Sequence, residues 1–320
     1  MSAAGKLVLG VAGNGALASG IASHDTPLRG CTVRLPVATG HAEMRDLASD
    51  PAVPAVIVDC DVAARADIVL ASLAAGKTVV CSFPPSDTPE GLAGVERALA
   101  SGGTLSIWHE LAALAVSRDA LSALRTGSFG VPHSLYVSAR LARCESPRGI
   151  LDDIGWQVLD LVLAIAGDLP ERVYATGGRL FADAGAADTL TVIMRFPQSL
   201  VVTVEMSRCL PATLARPSDA EMEVEIICSD GALRFEPNIA ANRVYTSNSA
   251  SIRPWPDERI QPLIGEIIEI AERGCDPAAD LLAVRRALRV RAAIHASKAS
   301  GEAVELSAEK DDPALRTTYA

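Results

Sequence analysis

Short apolar runs alternate with amphipathic segments over the first 120 residues. Runs of strand length occur at LVLGVA (7–12), AVIVDC (55–60), KTVVCSF (77–83) and TLSIWH (104–109). The segments between them, such as DVAARADIVLASLAAG (61–76), repeat apolar residues at helical spacing. Buried parallel strands are continuous apolar runs, and helices connect them. The pattern predicts an α/β domain over residues 1–120, with a parallel sheet covered on both faces.

The pattern changes after about residue 130. Strand-length runs follow one another without helices, from RVYATGGRLF (172–181) to GALRFEP (231–237), and PQS (197–199) and SDG (229–231) are typical hairpin turns. Further helices are predicted at ELAALAVSRDALSALRTG (110–127), LDDIGWQVLDLVLAIAG (151–167), LIGEIIEIAERG (263–274) and LLAVRRALRVRAAIHASKASG (281–301). We expect residues 121–320 to form an α+β domain with a mostly antiparallel, open sheet.

The segment GNGALA (13–18) follows the first strand and opens a helix, as does the G-x-G-x-x-A turn of dinucleotide-binding proteins. The first glycine permits the tight turn, and the second lets a pyrophosphate approach the amides at the start of the helix. The turn predicts a Rossmann-type domain with an NAD or NADP site on Gly13, Asn14, Gly15, Ala16 and Leu17. The alternative is a tight strand–helix turn that binds no ligand.

The adenosine end of this predicted site lacks its usual acid. No carboxylate lies between Asp25 and Glu43, where an acid about 20 residues after the turn would bind the ribose 2′-hydroxyl. Arg29 and Arg34 lie in this window. They favour the 2′-phosphate of NADP, or they are surface arginines. The choice between NAD, NADP and no cofactor stays open at this point.

Composition narrows the classes of partner. The chain has 320 residues, of which 49% are hydrophobic and 21% charged, and its formal net charge is −10. This balance argues against nucleic acid or an anionic membrane as the main partner, because phosphate binding needs clustered Lys and Arg. The seven cysteines are scattered and the histidines show no ligand spacing, so no metal site is predicted. No apolar run reaches the length of a membrane span, and we expect a cytoplasmic protein.

Segments spread over most of the chain follow one known pattern. They are GVAGNGALA, VIVDCDVAARADIVLASLAAGKTVVCSFPPS, GSFGVPHSLYV, LDDIGWQVLDLVLAIAG, EMEVEIICSDGALRF and AIHASKASGEAVEL. Together they resemble the Gfo/Idh/MocA oxidoreductases, a family of NAD(P)-dependent sugar, polyol and related dehydrogenases. The resemblance implies an oxidoreductase of a small hydroxylated substrate, such as a sugar, polyol or hydroxy acid. It also implies a homo-oligomer, dimer or tetramer, that pairs through the open face of the second sheet.

Two family motifs in the first domain are altered. The pattern T-P-x-x-x-H has become Cys60-Asp61 with Arg65, and E-K-P has become Ser82-Phe83-Pro84. By resemblance, Cys60, Asp61, Ser82 and Phe83 border the cofactor. The interval before AVIV is also shorter than usual by about one helix–strand unit, which would remove part of the adenosine platform.

A third motif, D-x-x-x-H, keeps Asp153 but has Gln157 in place of histidine. Neither Phe83 nor Gln157 can take up a proton, so the lysine and the histidine that the family uses as acid–base groups are both absent. Lys77 is no substitute, because it matches the family's own G-K before the strand, at the opposite end of the sheet.

Three residues remain as catalytic candidates: Asp153, Gln157 and His109. Asp153 and Gln157 are four apart, and on a helix they share one face with Asp160. Asp153 is an acid–base candidate or a carboxylate that stabilises the start of a helix. Gln157 is better suited to hydrogen-bond a substrate, and a structural role is favoured for Asp160. His109 ends the fourth predicted strand and is an acid–base candidate or a packing histidine.

Substrate contacts are predicted in the same part of the chain. Arg140, Arg143 and Arg148 precede the helix, and guanidinium groups bind carboxylate or phosphate. An anionic substrate is one interpretation of these arginines, and a solvated basic loop is the other. Trp108 would stack on a nicotinamide or a substrate ring, or fill the core. Trp156, on the helix, completes the predicted substrate contacts.

Three functional hypotheses follow from these observations. The first is an NAD(P)-dependent oxidoreductase with non-standard catalytic residues. The second is a lyase or isomerase that uses Asp153 for proton transfer on the same scaffold. The third is a non-catalytic ligand-binding or regulatory paralogue.

Overall fold

The structure is a computed structural model. It describes residues 7–22, 31–35, 40–144, 146, 148–181, 185–211, 221–236, 241–246, 250–254, 269–270 and 274–306. The chain divides into two compact units, Met1–Trp108 with Glu258–Val284 and His109–Asp257 with Arg285–Ala320. The proposed domains 1–120 and 121–320 differ from these units in the assignment of residues 109–120 and 258–284.

The first unit contains a parallel sheet. Its strands are β1 (Leu7–Gly13), β2 (Cys31–Arg34), β3 (Ala55–Asp59), β4 (Thr78–Ser82) and β5 (Thr104–Trp108), in the order β2-β1-β3-β4-β5. The helices between them are α1 (Ala16–Ala22), α2 (His41–Ser49), α3 (Val62–Ala74) and α4 (Pro89–Ala100). Within the described ranges a single strand lies beyond β1, whereas the usual dinucleotide-binding sheet carries two on this side. This topology agrees with the shortened interval expected from the sequence.

The apolar runs form strands because the sheet is buried on both faces. All five residues of β3 are buried, and Leu17 and Ile21 of α1 pack against its neighbour β1. Lys77 lies before β4, at the amino ends of the strands. Its Nζ donates to the backbone carbonyl oxygens of Asp50 and Val53, and burial lowers the pKa of this amine. Lys77 is therefore held at the edge of the sheet opposite to the glycine turn.

The second unit is built on a nine-stranded sheet. Its strands are β6 (Pro132–Ala142), β7 (Arg172–Thr176), β8 (Thr189–Arg195), β9 (Val201–Leu210), β10 (Glu221–Cys228), β11 (Gly231–Phe235), β12 (Ala241–Thr246), β13 (Ala250–Pro254) and β14 (Val304–Glu305). Their order is β13-β12-β11-β10-β6-β9-β8-β7-β14. Of these neighbours, β6 and β9 pair in parallel and the others are antiparallel. The predicted fold class, a Rossmann-type parallel sheet domain plus an α+β domain with a mostly antiparallel sheet, is confirmed.

Alternate residues of the second sheet lie on opposite faces. Leu135, Val137 and Ala139 of β6 are buried, whereas Tyr136 and Arg140 lie on the other face. This other face also carries the exposed apolar side chains Tyr174, Ile193, Val201 and Ile227. It is therefore the open face that the sequence predicts.

The remaining helices are α5 (Ala115–Arg125), α6 (Ile150–Asp153), α7 (Gly155–Ala166) and α8 (Ala278–Ser300). Two bounds differ from the predictions: α5 begins at Ala115, and the helix predicted over 151–167 is interrupted at Ile154. Most of the helix predicted over 263–274 lies outside the described residues. Among the helices that are described, none has the length and apolarity needed to cross a bilayer.

Candidate functional site

The glycine turn has the backbone that its motif requires. Gly13 ends β1 with φ at +145°, and a Cβ there would lie 2.0 Å from the Asp59 carbonyl oxygen. The same carbonyl oxygen accepts the Gly15 amide at 2.9 Å. Close packing of the turn against the end of β3 therefore explains why Gly13 carries no side chain.

The other predicted cofactor residues of the turn differ in their surroundings. Asn14 is exposed, and its carbonyl oxygen accepts a hydrogen bond from Ser19 Oγ at 3.1 Å. Ala16 begins α1, and Leu17 is buried in the core between β1 and α1. Leu17 thus contributes a side chain to packing rather than to a ligand surface.

The carboxylate of Asp59 fills the space in front of the second glycine. Its Oδ2 accepts the Ala18 amide at 2.8 Å, and its Oδ1 accepts the Ser82 hydroxyl at 2.6 Å. A Cβ on Gly15 would lie 2.4 Å from both carboxylate oxygens. Asp59 is only 6% exposed. The missing side chain at Gly15 is therefore explained by an acid of this chain.

A pyrophosphate does not fit this arrangement while the Asp59 carboxylate holds the Ala18 amide. In the motif, the space beside the second glycine receives the pyrophosphate, and amides of the first helical turn bind it. Here a buried carboxylate takes that space and the Ala18 amide. A pyrophosphate in the same place would meet a like charge, and such repulsion is strong where water is excluded.

The arginines proposed for the adenosine end do not form an evident phosphate site in the described residues. Arg34 ends β2, and its Nη1 lies 2.7 Å from Asp50 Oδ2 in an ion pair. Arg29 lies outside the described residues. A 2′-phosphate would have to displace Asp50 from Arg34, so the choice between NAD and NADP does not follow from this contact.

Arg65 ties the carboxyl ends of β3 and β4 together. Its buried guanidinium donates to the carbonyl oxygens of Cys60 (2.6 and 3.1 Å), Ser82 (3.1 Å) and Pro84 (2.8 Å). Burial also raises the pKa of the Cys60 thiol. The residue at the histidine position of T-P-x-x-x-H is thus engaged with backbone.

The remaining predicted residues of this region have structural contacts. Phe83 is buried, and its amide donates to the Trp108 carbonyl oxygen at 3.0 Å. The Trp108 side chain packs against the core of the first unit. Asp61 is the N-cap of α3, and its side chain accepts the Ala63 amide at 3.1 Å. Neither Cys60, Ser82 nor Phe83 presents an ionisable group suited to proton transfer near neutral pH.

In the second unit, Asp153 is held by two arginines. Its Oδ2 pairs with Arg208 Nη2, and its Oδ1 lies 3.4 Å from Arg148 Nε. Ser146 Oγ donates to Oδ2 at 3.4 Å. Arg208 comes from β9 and its side chain is only 8% exposed. Because both oxygens of Asp153 are engaged, proton transfer at this carboxylate would have to break an ion pair.

Gln157 contacts the backbone of its own helix region, whereas Trp156 contacts an arginine of α8. In the orientation that satisfies its amide, Gln157 Nε2 donates to the carbonyl oxygens of Ile154 (3.1 Å) and Asp153 (3.3 Å), where α6 gives way to α7. Trp156 is buried, and the Arg291 guanidinium lies 5.0 Å from its ring centroid. Arg291 also pairs with Asp152, so Asp152 and Asp153 have different arginine partners.

His109 is paired with Asp160. The histidine Nδ1 lies 2.8 Å from Asp160 Oδ1. Asp160, in the middle of α7, is only 3% exposed, whereas the His109 side chain is 22% exposed. A buried carboxylate orients an imidazole and favours the tautomer with its proton on Nδ1. The pair therefore has the composition of an acid–base dyad.

The three predicted substrate arginines are not brought together. Arg140 lies on the open face of the sheet, opposite to the face that carries Arg208. Arg143 stacks on the Phe181 ring at 5.0 Å, and Arg148 pairs with Asp153. For Arg140 the reason is strand alternation, which places successive side chains of β6 on opposite faces of the sheet.

No cluster of three His, Cys, Asp or Glu side chains suited to a metal ion occurs in the part of the chain that the structure describes.

The family comparison concerns the second unit. Residues 122–234 match the family model of the GFO/IDH/MocA C-terminal domain. The chain carries a Gfo/Idh/MocA C-terminal domain. The family resemblance predicted from the sequence is confirmed.

Two curated proteins that this chain resembles are named as an oxidoreductase and a dehydrogenase. The uncharacterized oxidoreductase YrbE of Bacillus subtilis is 25% identical over 181 residues, which are 52% of this chain and 52% of the relative. Myo-inositol 2-dehydrogenase of Thermotoga maritima is 26% identical over 198 residues, 57% of this chain and 58% of the relative. The matched segments thus span little more than half the length of these relatives.

Solved structures share the fold over nearly the whole chain. Levoglucosan dehydrogenase, in complex with NADH and levoglucosan, superposes with a TM-score of 0.73 at 17% identity. The match covers 93% of this chain and 99% of that one. At this identity the likeness establishes the Gfo/Idh/MocA fold alone.

Three residues of these regions were missed or underrated from the sequence. Asp59 precedes the first altered motif, and the sequence pattern indicates only the end of a strand there. Arg208 occupies an inward position of β9 (burial alternates at Val202, Val204 and Met206), which is a signal for a buried ion pair. Asp160 was assigned a structural role, and its contact with His109 was not anticipated.

Proposed function

We propose that this Gfo/Idh/MocA-type protein is an oxidoreductase of a small hydroxylated substrate, a sugar, polyol or hydroxy acid, with NAD or NADP as co-reactant. Support comes from the myo-inositol 2-dehydrogenase relative and from the levoglucosan dehydrogenase neighbour, whose structure holds NADH. The observation that carries the chemistry is the 2.8 Å contact between His109 Nδ1 and Asp160 Oδ1. His109 is a titratable group with both partial exposure and a buried carboxylate partner.

His109 is the proposed proton acceptor. Oxidation of a carbinol requires a group that takes the hydroxyl proton, while the nicotinamide would take the hydride from the carbon. Asp160 holds the imidazole through Nδ1, which makes Nε2 the atom that receives the proton, and it stabilises the imidazolium that forms. Asp153 is proposed as a positioning residue, because its oxygens bind Arg148 and Arg208.

We propose more specifically that the substrate is anionic. Arg148 has a side chain that is 45% exposed, and its ion pair with Asp153 is long at 3.4 Å. A substrate carboxylate could replace Asp153 as the partner of Arg148 at little cost, since exposed ion pairs contribute less than about 1 kcal/mol. Arg148→Met would then raise the KM of hydroxy acids and leave that of neutral polyols unchanged.

A non-redox reaction is the second candidate, and the position of Asp59 favours it. With a carboxylate in the glycine turn, the first unit is poorly suited to a dinucleotide. The His109–Asp160 pair could instead remove a proton from a carbon next to a carbonyl group, as lyases and isomerases require. This reaction needs no nicotinamide.

The deciding experiment combines binding with turnover. Wild-type protein is titrated with NADH and NADPH by nicotinamide fluorescence, then assayed for NAD⁺ or NADP⁺ reduction with myo-inositol, levoglucosan and a panel of hydroxy acids. Cofactor-dependent turnover that falls at least about 100-fold in His109→Asn supports the oxidoreductase. Absence of binding at millimolar cofactor contradicts it. Exchange of substrate hydrogen with D₂O in the absence of cofactor would favour the second candidate, and no activity in either assay would favour a non-catalytic paralogue.

A homo-oligomer is also proposed. The open face of the second sheet carries Tyr174, Ile193, Val201 and Ile227, all exposed. Exposed apolar side chains on a flat sheet are typical of subunit contacts. Light scattering should give a multiple of the 33.3 kDa chain mass, and Ile193→Lys should lower it. A monomer at micromolar concentration would contradict this proposal.

A further inference from the structure

Asp59 joins two elements of the glycine-turn region. It ends β3, and its carboxylate spans from the Ala18 amide in α1 to the Ser82 hydroxyl at the end of β4. The two hydrogen bonds measure 2.8 and 2.6 Å, and the residue is buried. The carboxylate therefore has a fixed position beside the turn.

This position coincides with the space that the second glycine of the motif leaves open. A Cβ on Gly15 would meet both Asp59 oxygens at 2.4 Å. In dinucleotide-binding turns this glycine lets the pyrophosphate reach the backbone. Here the same freedom is used by an internal anion, which also compensates the partial positive charge of the first helical turn.

We infer that Asp59 limits the affinity of this glycine turn for a nicotinamide dinucleotide. The carboxylate competes with the pyrophosphate for the first turn of α1 and repels its charge. Tight binding requires Asp59 to leave the Ala18 amide. This inference rests on the proposed function, because it concerns the co-reactant of that reaction.

The test removes the charge and keeps the shape. In Asp59→Asn the amide oxygen can still accept from Ala18 or Ser82, so the turn retains a partner while the negative charge is lost. The matched control is Asp46→Asn, which makes the same change of charge at an exposed position of α2. Melting temperatures of both variants are measured first.

The probes differ in their phosphates. NADH carries the pyrophosphate, reduced nicotinamide mononucleotide carries one phosphate, and reduced nicotinamide riboside carries none. We expect Asp59→Asn to bind NADH about tenfold more tightly than wild type, equivalent to about 1.4 kcal/mol. The gain should be smaller for the mononucleotide and absent for the riboside. Asp46→Asn should match wild type for all three probes.

The outcomes separate this inference from the proposed function. If wild type and Asp59→Asn bind NADH equally, the inference is overturned and the oxidoreductase proposal stands. If the variant binds and wild type does not at millimolar NADH, the inference holds and the oxidoreductase proposal fails. No binding to either protein overturns both, and an equal gain for all three probes overturns the inference. Should Asp59→Asn fail to fold, Asp59→Ser and Asp59→Ala are measured in the same way.

Discussion

At the carboxyl ends of β3 and β4, buried charged side chains are satisfied largely by backbone: Arg65 by three carbonyl oxygens and Asp59 by the Ala18 amide, with one serine hydroxyl. At the end of α6 and along α7, charged side chains pair with one another: Asp153 pairs with two arginines, and His109 pairs with Asp160. Backbone amides and carbonyl groups do not titrate near neutral pH. The first region therefore acts mainly as a scaffold, whereas the second contains the proposed proton acceptor.

The two regions also contain the positions at which the resemblance implies the family's acid–base lysine and histidine. The lysine and histidine expected from E-K-P and D-x-x-x-H are replaced by Phe83 and Gln157, which are engaged in packing and in helix hydrogen bonds. His109 and Asp160 lie outside those two replaced positions. Under the proposed function, acid–base chemistry in this chain depends on residues that neither altered motif identifies.

The largest expected effect tests the scaffold role of the first region. Arg65→Met removes the guanidinium that donates to the carbonyl oxygens of Cys60, Ser82 and Pro84, and it should lower the free energy of unfolding by about 3–5 kcal/mol. Urea denaturation measures the change. Arg45→Met is the control, since that side chain is 56% exposed and its pair with Asp67 should contribute less than about 1 kcal/mol. Equal losses in the two variants would show that Arg65 is not a scaffold residue.

A somewhat smaller loss of stability is expected when the ion pair of the second region is broken. Asp153→Asn leaves the Arg208 guanidinium buried without its carboxylate, which should cost about 3 kcal/mol. Asp152→Asn is the matched variant one residue earlier, and its partner Arg291 is more exposed, so about 1 kcal/mol is expected. Denaturation midpoints of both variants give the comparison. A loss of turnover in Asp153→Asn with unchanged stability would instead make Asp153 a catalytic residue.

The smallest predicted effect is a pH dependence of the free energy of unfolding, which arises in the first region. Burial raises the pKa of the Cys81 thiol in β4 from 9.0 to about 12. The unfolded chain therefore loses this proton at lower pH than the folded chain does, so the stability is intact below pH 9 and falls as the pH rises toward 12. The loss should be about 1.4 kcal/mol at pH 10. Urea midpoints at pH 8 and pH 10 measure it, and Cys81→Val should show a weaker dependence; the same slope in both proteins would refute the assignment.

Much of the fold could be predicted because hydrophobic periodicity reports burial directly. The continuous apolar run at β3 and the alternating pattern of β9 became strands of the expected kind. Helix bounds were less predictable. Ala113 and Leu114 have helix-forming side chains, yet α5 begins only at Ala115, and Ile154 interrupts a segment with continuous helical periodicity.

The candidate site was predictable in its residue types and not in its contacts. His109 and Asp160 are 51 residues apart, and sequence spacing carries no information on pairs that tertiary structure creates. Asp59 could not be recognised as the occupant of the glycine turn, because the motif describes the turn and not the neighbouring strand. Arg140 and Arg143 seemed equivalent in sequence but lie in different surroundings, since strand alternation and the Phe181 ring decide their contacts.

The central claim is that His109, held by Asp160, is the proton acceptor of this protein. Its most direct test is kcat/KM of wild type and His109→Asn on the substrate with the highest turnover in the proposed panel, with melting temperatures recorded in parallel. We predict that His109→Asn lowers kcat/KM at least about 100-fold, with the folded state and the cofactor Kd retained. A folded His109→Asn variant with the kcat/KM of wild type would contradict the account.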